Sequence, residues 1–326
     1  MEPHPAALGA VARTRALGLH FWGQFVGVTP LDHTPGHTRM RLVPESTVLS
    51  RDIRLDLPVE VTSLVTLADL SLGFAIRAQG PRDQRLATTS LSFQLVSRPR
   101  GAVTCLSEVV WISADETRAL VHAHLTDAGD GAVAEAQAWF LTLPIPPGAG
   151  VTAMPWERRP SAVPRLSVAD LTPDESAAVT AATVAAKRAN ALGSPVAREL
   201  LGLEWSETSA ERAVGTVEVG PHLANRIGDV QGGALFGIAA TAADLLMGEG
   251  LELADAGMQY LRPVRGSRLT VTATTVRRGR SAGFVEARID VDGQTTNVAH
   301  LTFLASGEGS GEAAPTDREL RPAATR

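Results

Sequence analysis

A single cysteine, Cys105, excludes a disulfide framework and any zinc or iron–sulfur centre built from cysteines. No basic excess is present: 30 Lys and Arg stand against 35 Asp and Glu, for a net charge of −5 and an isoelectric point near 5.9. Without a basic field, nucleic acid and acidic membrane surfaces are poor partners. No long apolar run escapes interruption either. The longest, Val230 to Met247, is cut by Gly232, Gly233, Gly237 and Asp244, whereas a spanning helix needs ~20 mostly apolar residues. Residues 1–15 carry Glu2 and two prolines and no apolar core, which is not the pattern of a signal peptide. A phosphate-binding loop, a dinucleotide fingerprint and a Gly-x-Ser-x-Gly elbow are all missing. What remains is a chain of 326 residues, 44% hydrophobic and 20% charged, of ordinary globular composition. At ~100–200 residues per domain this length predicts two domains, and a cytoplasmic enzyme or binding protein is the expected class.

Proline concentrates in the middle. Pro144, Pro146, Pro147, Pro155, Pro160 and Pro164, with Gly148 and Gly150 among them, sustain neither a helix nor an internal strand and read as a semi-rigid linker. Thr172-Pro173-Asp174-Glu175 is a capping box with proline at the first helical position, predicting an Ala-rich helix to about Ala191. Residues 306–326, rich in Gly, Ala, Pro and charge, predict a disordered tail. The expected domains are 1–143 and 171–305, joined by 144–170.

The two domains repeat one order of elements. Each opens with a helical stretch and a short apolar strand, Phe25–Val28 and Leu200–Leu203, followed by a second strand near 38–43 and 213–219. A nearly all-apolar helix comes next, Val59–Leu72 and Gly232–Met247. Strands then follow near 88–96, 102–112, 118–125 and 132–143 in the first copy, and near 256–261, 268–277, 283–291 and 295–304 in the second. Landmarks keep step, since Arg98-Pro99 answers Arg262-Pro263 and Asp130-Gly131 answers Asp292-Gly293. An apolar helix with no polar face must be surrounded, and a strongly curved antiparallel sheet with one solvent face can do that. The fold class expected is α+β, with one wrapped helix per copy.

Asn225-Arg-Ile-Gly-Asp-Val-Gln231-Gly232-Gly233 leads into the second apolar helix, and Met258-Gln-Tyr-Leu-Arg-Pro263 follows it. This segment resembles the hot-dog thioesterases of the phenylacetate-pathway type, whose pattern is Asn, six residues later His-Gly-Gly, then an acid nine residues after the His. The resemblance implies two hot-dog domains in tandem, packed as an intrachain pseudo-dimer, and an acyl-CoA thioesterase. Coenzyme A would arrive as part of the substrate, with no metal or resident cofactor, and several such double units are compatible with a homo-oligomer. Gln231 departs from the family's His, because it can hydrogen-bond but not titrate.

Nine residues at ~100° each put an acid on the opposite helix face from the helix start and ~13 Å further along, so the two can meet only across antiparallel helices. The second copy has Gln231, Gly232 and Gly233 but Ala240 at the acid position; the first has Glu60-Val61-Thr62 at the motif but Asp69 at the acid position. Crossing the copies therefore gives one complete site. Glycines at a helix start expose N–H groups to a developing oxyanion, and family analogy picks the Gly232 or Gly233 amide. Asp69, in an apolar stretch, would have its pKa raised by desolvation and act as general base or as nucleophile. Asn225 matches a family residue that orients the carbonyl or the water.

Plainer roles stand beside these. Gly232 and Gly233 would serve helix–sheet packing, Asp69 would be a satisfied polar residue, Asn225 a turn cap, and Glu60 a surface or capping residue of a lapsed site. Asp244 is a second buried acid. Arg277, Arg278 and Arg280 fall in a hairpin turn, where the sharper reading is a clamp for the coenzyme A phosphates. His122 and His124 share one strand face without an identifiable third metal ligand. A hot-dog hydratase, suggested by Asp32 and His37, and a non-catalytic acyl-binding protein with a decayed motif are the competing functions.

Overall fold

The computed structural model describes residues 2–43, 59–79, 84–145, 163–248 and 250–305. Most of the expected linker and the whole expected tail lie outside them. The first copy contains α1 (Pro5–Leu17), α2 (Phe21–Val26), β1 (Val28–Thr34), β2 (His37–Leu42), α3 (Val61–Gln79), β3 (Gln84–Leu95), β4 (Val103–Ile112), β5 (Arg118–Asp127) and β6 (Ala132–Pro144). The second contains α4 (Pro173–Leu192), α5 (Val196–Leu200), β7 (Glu204–Thr208), β8 (Arg212–Glu218), α6 (Gly232–Met247), β9 (Leu251–Tyr260), β10 (Arg268–Arg278), β11 (Ala282–Val291) and β12 (Gln294–Ala305).

The strands form one 12-stranded sheet in the order β1-β2-β4-β5-β6-β3-β9-β12-β11-β10-β8-β7. Read outward from the centre, each half has the same strand sequence, so a pseudo-twofold axis runs through the β3–β9 joint. That joint is antiparallel and short, from Ser90↔Gln259 to Gln94↔Asp255. It covers the edge that each half would otherwise expose. The fold is therefore a tandem pair of hot-dog domains, each a curved antiparallel sheet around one apolar helix.

The central helices α3 and α6 touch along their lengths. A Cβ on Gly233 would lie 2.7 Å from the Thr66 Cα, and one on Gly237 would collide with the Thr62 side chain. Position 66 faces 233 while 62 faces 237, so the helices run antiparallel, and their approach requires a residue without a side chain at both contacts. Helix α3 is long and apolar enough to cross a membrane by length and composition, but its residues are mostly buried inside the sheet.

Two expectations need correction. Phe25–Val28 and Leu200–Leu203 are not strands: each is the end of a short helix, a positive-φ glycine (Gly27 at 98°, Gly202 at 67°), then the entry to β1 or β7. Four apolar residues cannot distinguish a helix end from a strand by periodicity. Helix α3 also runs past Leu72 to Gln79, because Phe74, Ala75 and Ile76 continue its buried face beyond Gly73.

Candidate active site

The start of α6 is capped by Gln231, whose Oε1 accepts the Ala234 N–H at 2.9 Å. With the carbonyl end committed, the amide nitrogen is turned outward, and it donates to Asp69 Oδ2 at 2.5 Å. Asp69 projects from the middle of α3, brought there by the antiparallel helix contact. The Gly233 N–H and the Thr88 hydroxyl of β3 donate to the same carboxylate. Burial is the largest influence on Asp69 and raises its pKa to about 6, against the pull of these three bonds. The structure thus joins Asp69 of the first half to Gln231 and Gly233 of the second.

The two glycines divide their roles. The Gly233 N–H is occupied by Asp69, and the missing side chain serves the approach to Thr66, so a helix–helix packing role is real at this position. Gly232 lines the cavity beside Asp69, and its N–H has no partner among the described residues. It is the open donor at the positive end of α6.

A cavity of about 440 Å³ surrounds this point. Asp69, Gly73 and Phe74 of α3 form one wall, and the segments around Asn225–Gly232 and Tyr260–Val264 form another. Pairing of β3 with β9 stops at Ser90↔Gln259, and residues 85–89 of β3, released from it, line the cavity. The opening is a slot in the sheet where its two halves part.

Tyr260, the chain's one tyrosine, donates its hydroxyl to the Gly232 carbonyl at 3.1 Å. Burial and the nearby Asp69 charge push its pKa well up, so it is a neutral donor. The Gly232 C=O and the Gly233 N–H belong to one peptide unit. Tyr260 and Asp69 are therefore linked through that peptide. Neither Tyr260 nor Thr88 was legible as a site residue: each is a polar residue in a strand, whose partner is set by a distant element.

Asn225 lines the cavity, but its Oδ1 is spent on the loop, accepting from Ile227 N–H at 2.9 Å and Asp229 N–H at 3.1 Å. Only its NH₂ group is left for a ligand. Arg277, Arg278 and Arg280 are exposed at the β10–β11 turn and do not line the cavity. The arginines that do are Arg77, Arg85, Arg226 and Arg262.

The other crossing forms a smaller pocket of about 280 Å³, lined by Glu60, Val61, Ala240 and Asp244 among others. Glu60 is not a surface residue: its side chain is 8% exposed, and it accepts the Thr62 N–H at 2.6 Å. Asp244 belongs to this pocket, paired with Arg198 at 2.9 Å. His122 and His124 both contact Glu135, and no metal-holding group of three or more His, Cys, Asp or Glu exists among the described residues. Asp32 and His37 are exposed on the β1–β2 hairpin at the sheet's outer edge and do not line the cavity.

Residues 221–306 match the family model of the acyl-CoA thioesterase N-terminal domain. No curated protein sequence matches the chain. Among solved structures, a candidate oleoyl thioesterase from Lactobacillus plantarum is similar at 12% identity, with a TM-score of 0.53 over 84% of this chain and 97% of that one. The tesB protein of Mycobacterium avium subspecies paratuberculosis is similar at 11% identity, with a TM-score of 0.51 over 90% of this chain and 100% of that one. These structural likenesses show the fold across both halves, and the family match is confined to residues 221–306 of the second.

Proposed function

We propose that this chain hydrolyses an acyl-CoA thioester at one composite site, using Asp69 from the first half and the start of α6 from the second. The observation that carries the reading is the 2.5 Å bond from Gln231 Nε2 to Asp69 Oδ2. It sets a carboxylate with a pKa of about 6 beside an open helix N-terminus.

In this mechanism the thioester oxygen sits at the Gly232 N–H. Asp69, ionised near neutral pH, takes a proton from water as the water oxygen bonds to the carbonyl carbon. Negative charge on the former carbonyl oxygen is stabilised by the N–H and the helix dipole. Collapse breaks the C–S bond, and the proton held by Asp69 passes to the departing thiolate. The products are a carboxylic acid and a free thiol, with no metal or resident cofactor involved. Gln231 does the holding that a histidine would do in the family, but its protonation state cannot change. The only proton carrier in this scheme is therefore Asp69.

The test is a thiol-release screen over short, long and aromatic acyl-CoAs. Release from at least one of them, lost in Asp69→Asn, is the expected result. Release from none would favour a non-catalytic acyl-binding protein.

A further inference from the structure

We propose that Arg77 and Arg85 form a subsite for an anionic group of the substrate, some two helical turns from the scissile carbonyl. The inference rests on the thioesterase reading for where the carbonyl sits, but not for the existence of the anion site.

Asp69, Gly73 and Arg77 are spaced i, i+4 and i+8 on α3, and all three line the same cavity. Residues so spaced share one helix face, and eight residues advance ~12 Å. Gly73 leaves the path between the two charged groups open, and its neighbours there, Phe74, Leu86 and Phe140, are apolar. The Arg77 guanidinium reaches β3, where Nη1 donates to the Gln84 carbonyl at 3.2 Å. Arg85 is the next residue on that strand and also lines the cavity, and its buried Nε has no hydrogen-bond partner.

Neither arginine forms an ion pair with an acidic side chain among the described residues. Burial alone acts on Arg77, lowering its pKa. Desolvating a guanidinium without a counter-charge is costly, and a buried unpaired donor calls for a partner. Another arginine of the cavity is already engaged: Arg262 donates to Gln294 Oε1 at 2.7 Å.

The second pocket supplies the control. Counting from Glu60 and Gln231 as equivalents, the place of Arg77 is taken by Gly248. At this helix position a cation stands only in the half whose pocket holds the Asp69 carboxylate; the second pocket's arginines, Arg98 and Arg198, come from other segments and each lies within 4 Å of a carboxylate. A planar guanidinium with parallel N–H groups matches a carboxylate or a phosphate. Two sources meet that description: a carboxylate at the far end of the acyl group, or a phosphate of coenzyme A.

The experiment uses four thioesters of one medium-chain acyl group. The group ends in methyl or in carboxylate, and each form is carried on coenzyme A or on phosphate-free N-acetylcysteamine. For Arg77→Met and Arg85→Met, kcat/KM should fall about tenfold to a hundredfold more for the anionic member of one contrast than for its neutral counterpart, the range for a charge-assisted bond. Arg77→Lys should restore part of the difference. A selective loss tied to the terminal carboxylate assigns the acyl group. One tied to the carrier assigns the phosphates. Equal losses on all four substrates, or no losses, would overturn the subsite.

Should the wild-type protein hydrolyse none of the four, the thioesterase reading fails separately. The subsite is then judged by calorimetric titration with coenzyme A and with the free dicarboxylic acid. Binding of either that weakens in both Met variants supports the subsite, and binding of neither, or binding indifferent to both, rejects it.

Discussion

The two pockets are built by the same fold operation and differ in what occupies it. At the Asp69 pocket, α6 begins with two residues lacking side chains, and the facing helix provides a carboxylate. At the other, α3 begins with Glu60, Val61 and Thr62, and the facing position is Ala240. Glu60 itself fills the role of anion at that helix start, bonded to the Thr62 N–H. Arg198 lies near Glu60, at 3.8 Å, and pairs with Asp244 at 2.9 Å. The second pocket is thus charge-satisfied from within, whereas the first presents an open N–H. A repeat leaves the backbone frame in both places, and a handful of side chains decides which can take a ligand.

The largest expected effect tests which acid matters. Asp69→Asn should lower kcat by ~10²–10⁴-fold, the range for loss of a general base. Asp244→Asn removes a half-exposed ion pair worth about 0–1 kcal/mol and should leave turnover in place. Steady-state kinetics on both variants decide the matter, and a dead Asp244→Asn would place the chemistry in the wrong pocket.

Next comes the helix start. A Cβ on Gly232 would sit 2.9 Å from Asp69 Oδ2, so Gly232→Val should displace the carboxylate and cover the open N–H. A loss of ~10²–10³-fold in kcat is expected, the usual cost of removing an oxyanion donor. The counterpart change, Val61→Ala, should cost about 1–2 kcal/mol in a denaturation curve without touching the reaction. Gly233→Val is a poorer probe, because its side chain would strike the α3 backbone and disturb the packing itself.

The pH dependence separates the pockets more gently. Activity should rise through an acid limb near pH 6, where Asp69 ionises. His20 also lines the cavity but is held to about 4 by burial, so it is neutral across that range. Stability should move the opposite way. Because the folded pKa of Asp69 lies above its ordinary value of 3.8, the folded state favours the protonated acid. That contribution is complete below the ordinary value and is lost as pH rises through about 6. Thermal unfolding of Asp69→Asn should therefore show its advantage over the wild type at pH 8 and little of it at pH 4. A constant difference would mean that Asp69 is not buried as described.

Much of this was readable from residues alone, for identifiable reasons. The apolar helices, the alternating strands and the repeat announce a wrapped-helix fold, since burial imposes those patterns locally. Crossing the halves to pair Asp69 with Gly232 and Gly233 needed the motif spacing that the family resemblance implies, together with helix geometry. The Thr88 partner of Asp69 on β3 and the Tyr260 bond to the Gly232 carbonyl from β9 were not readable, because strand register and the slot at the β3–β9 joint arise from the assembled sheet. Which arginines line the cavity was not readable for the same reason: a basic run advertises charge, but only the fold says which arginines turn inward. Glu60 reads as a surface or capping residue; it does cap the start of α3 through the Thr62 N–H, while its burial was not readable because a lone acid before an apolar helix looks solvated.

The smallest expected effect concerns Tyr260, two residues before Arg262-Pro263; Val96 holds that place before Arg98-Pro99 in the other half. Its hydroxyl bonds to the carbonyl end of the peptide whose N–H end bonds to Asp69. Hydrogen bonds in such a chain polarise one another, by perhaps 10–30% per bond. Losing the phenol should weaken the Gly233 bond to the carboxylate and so disfavour the ionised form of Asp69. With a charge-assisted bond worth about 1.5–3 kcal/mol, Tyr260→Phe should move the acid limb upward by a few tenths of a pH unit. The loss of kcat should consequently be greater at pH 6 than at pH 8, with KM little changed. A variant that melts earlier but keeps the wild-type pH profile would reduce Tyr260 to a packing residue. A shifted limb would extend the difference between the two pockets to the peptide that opens α6.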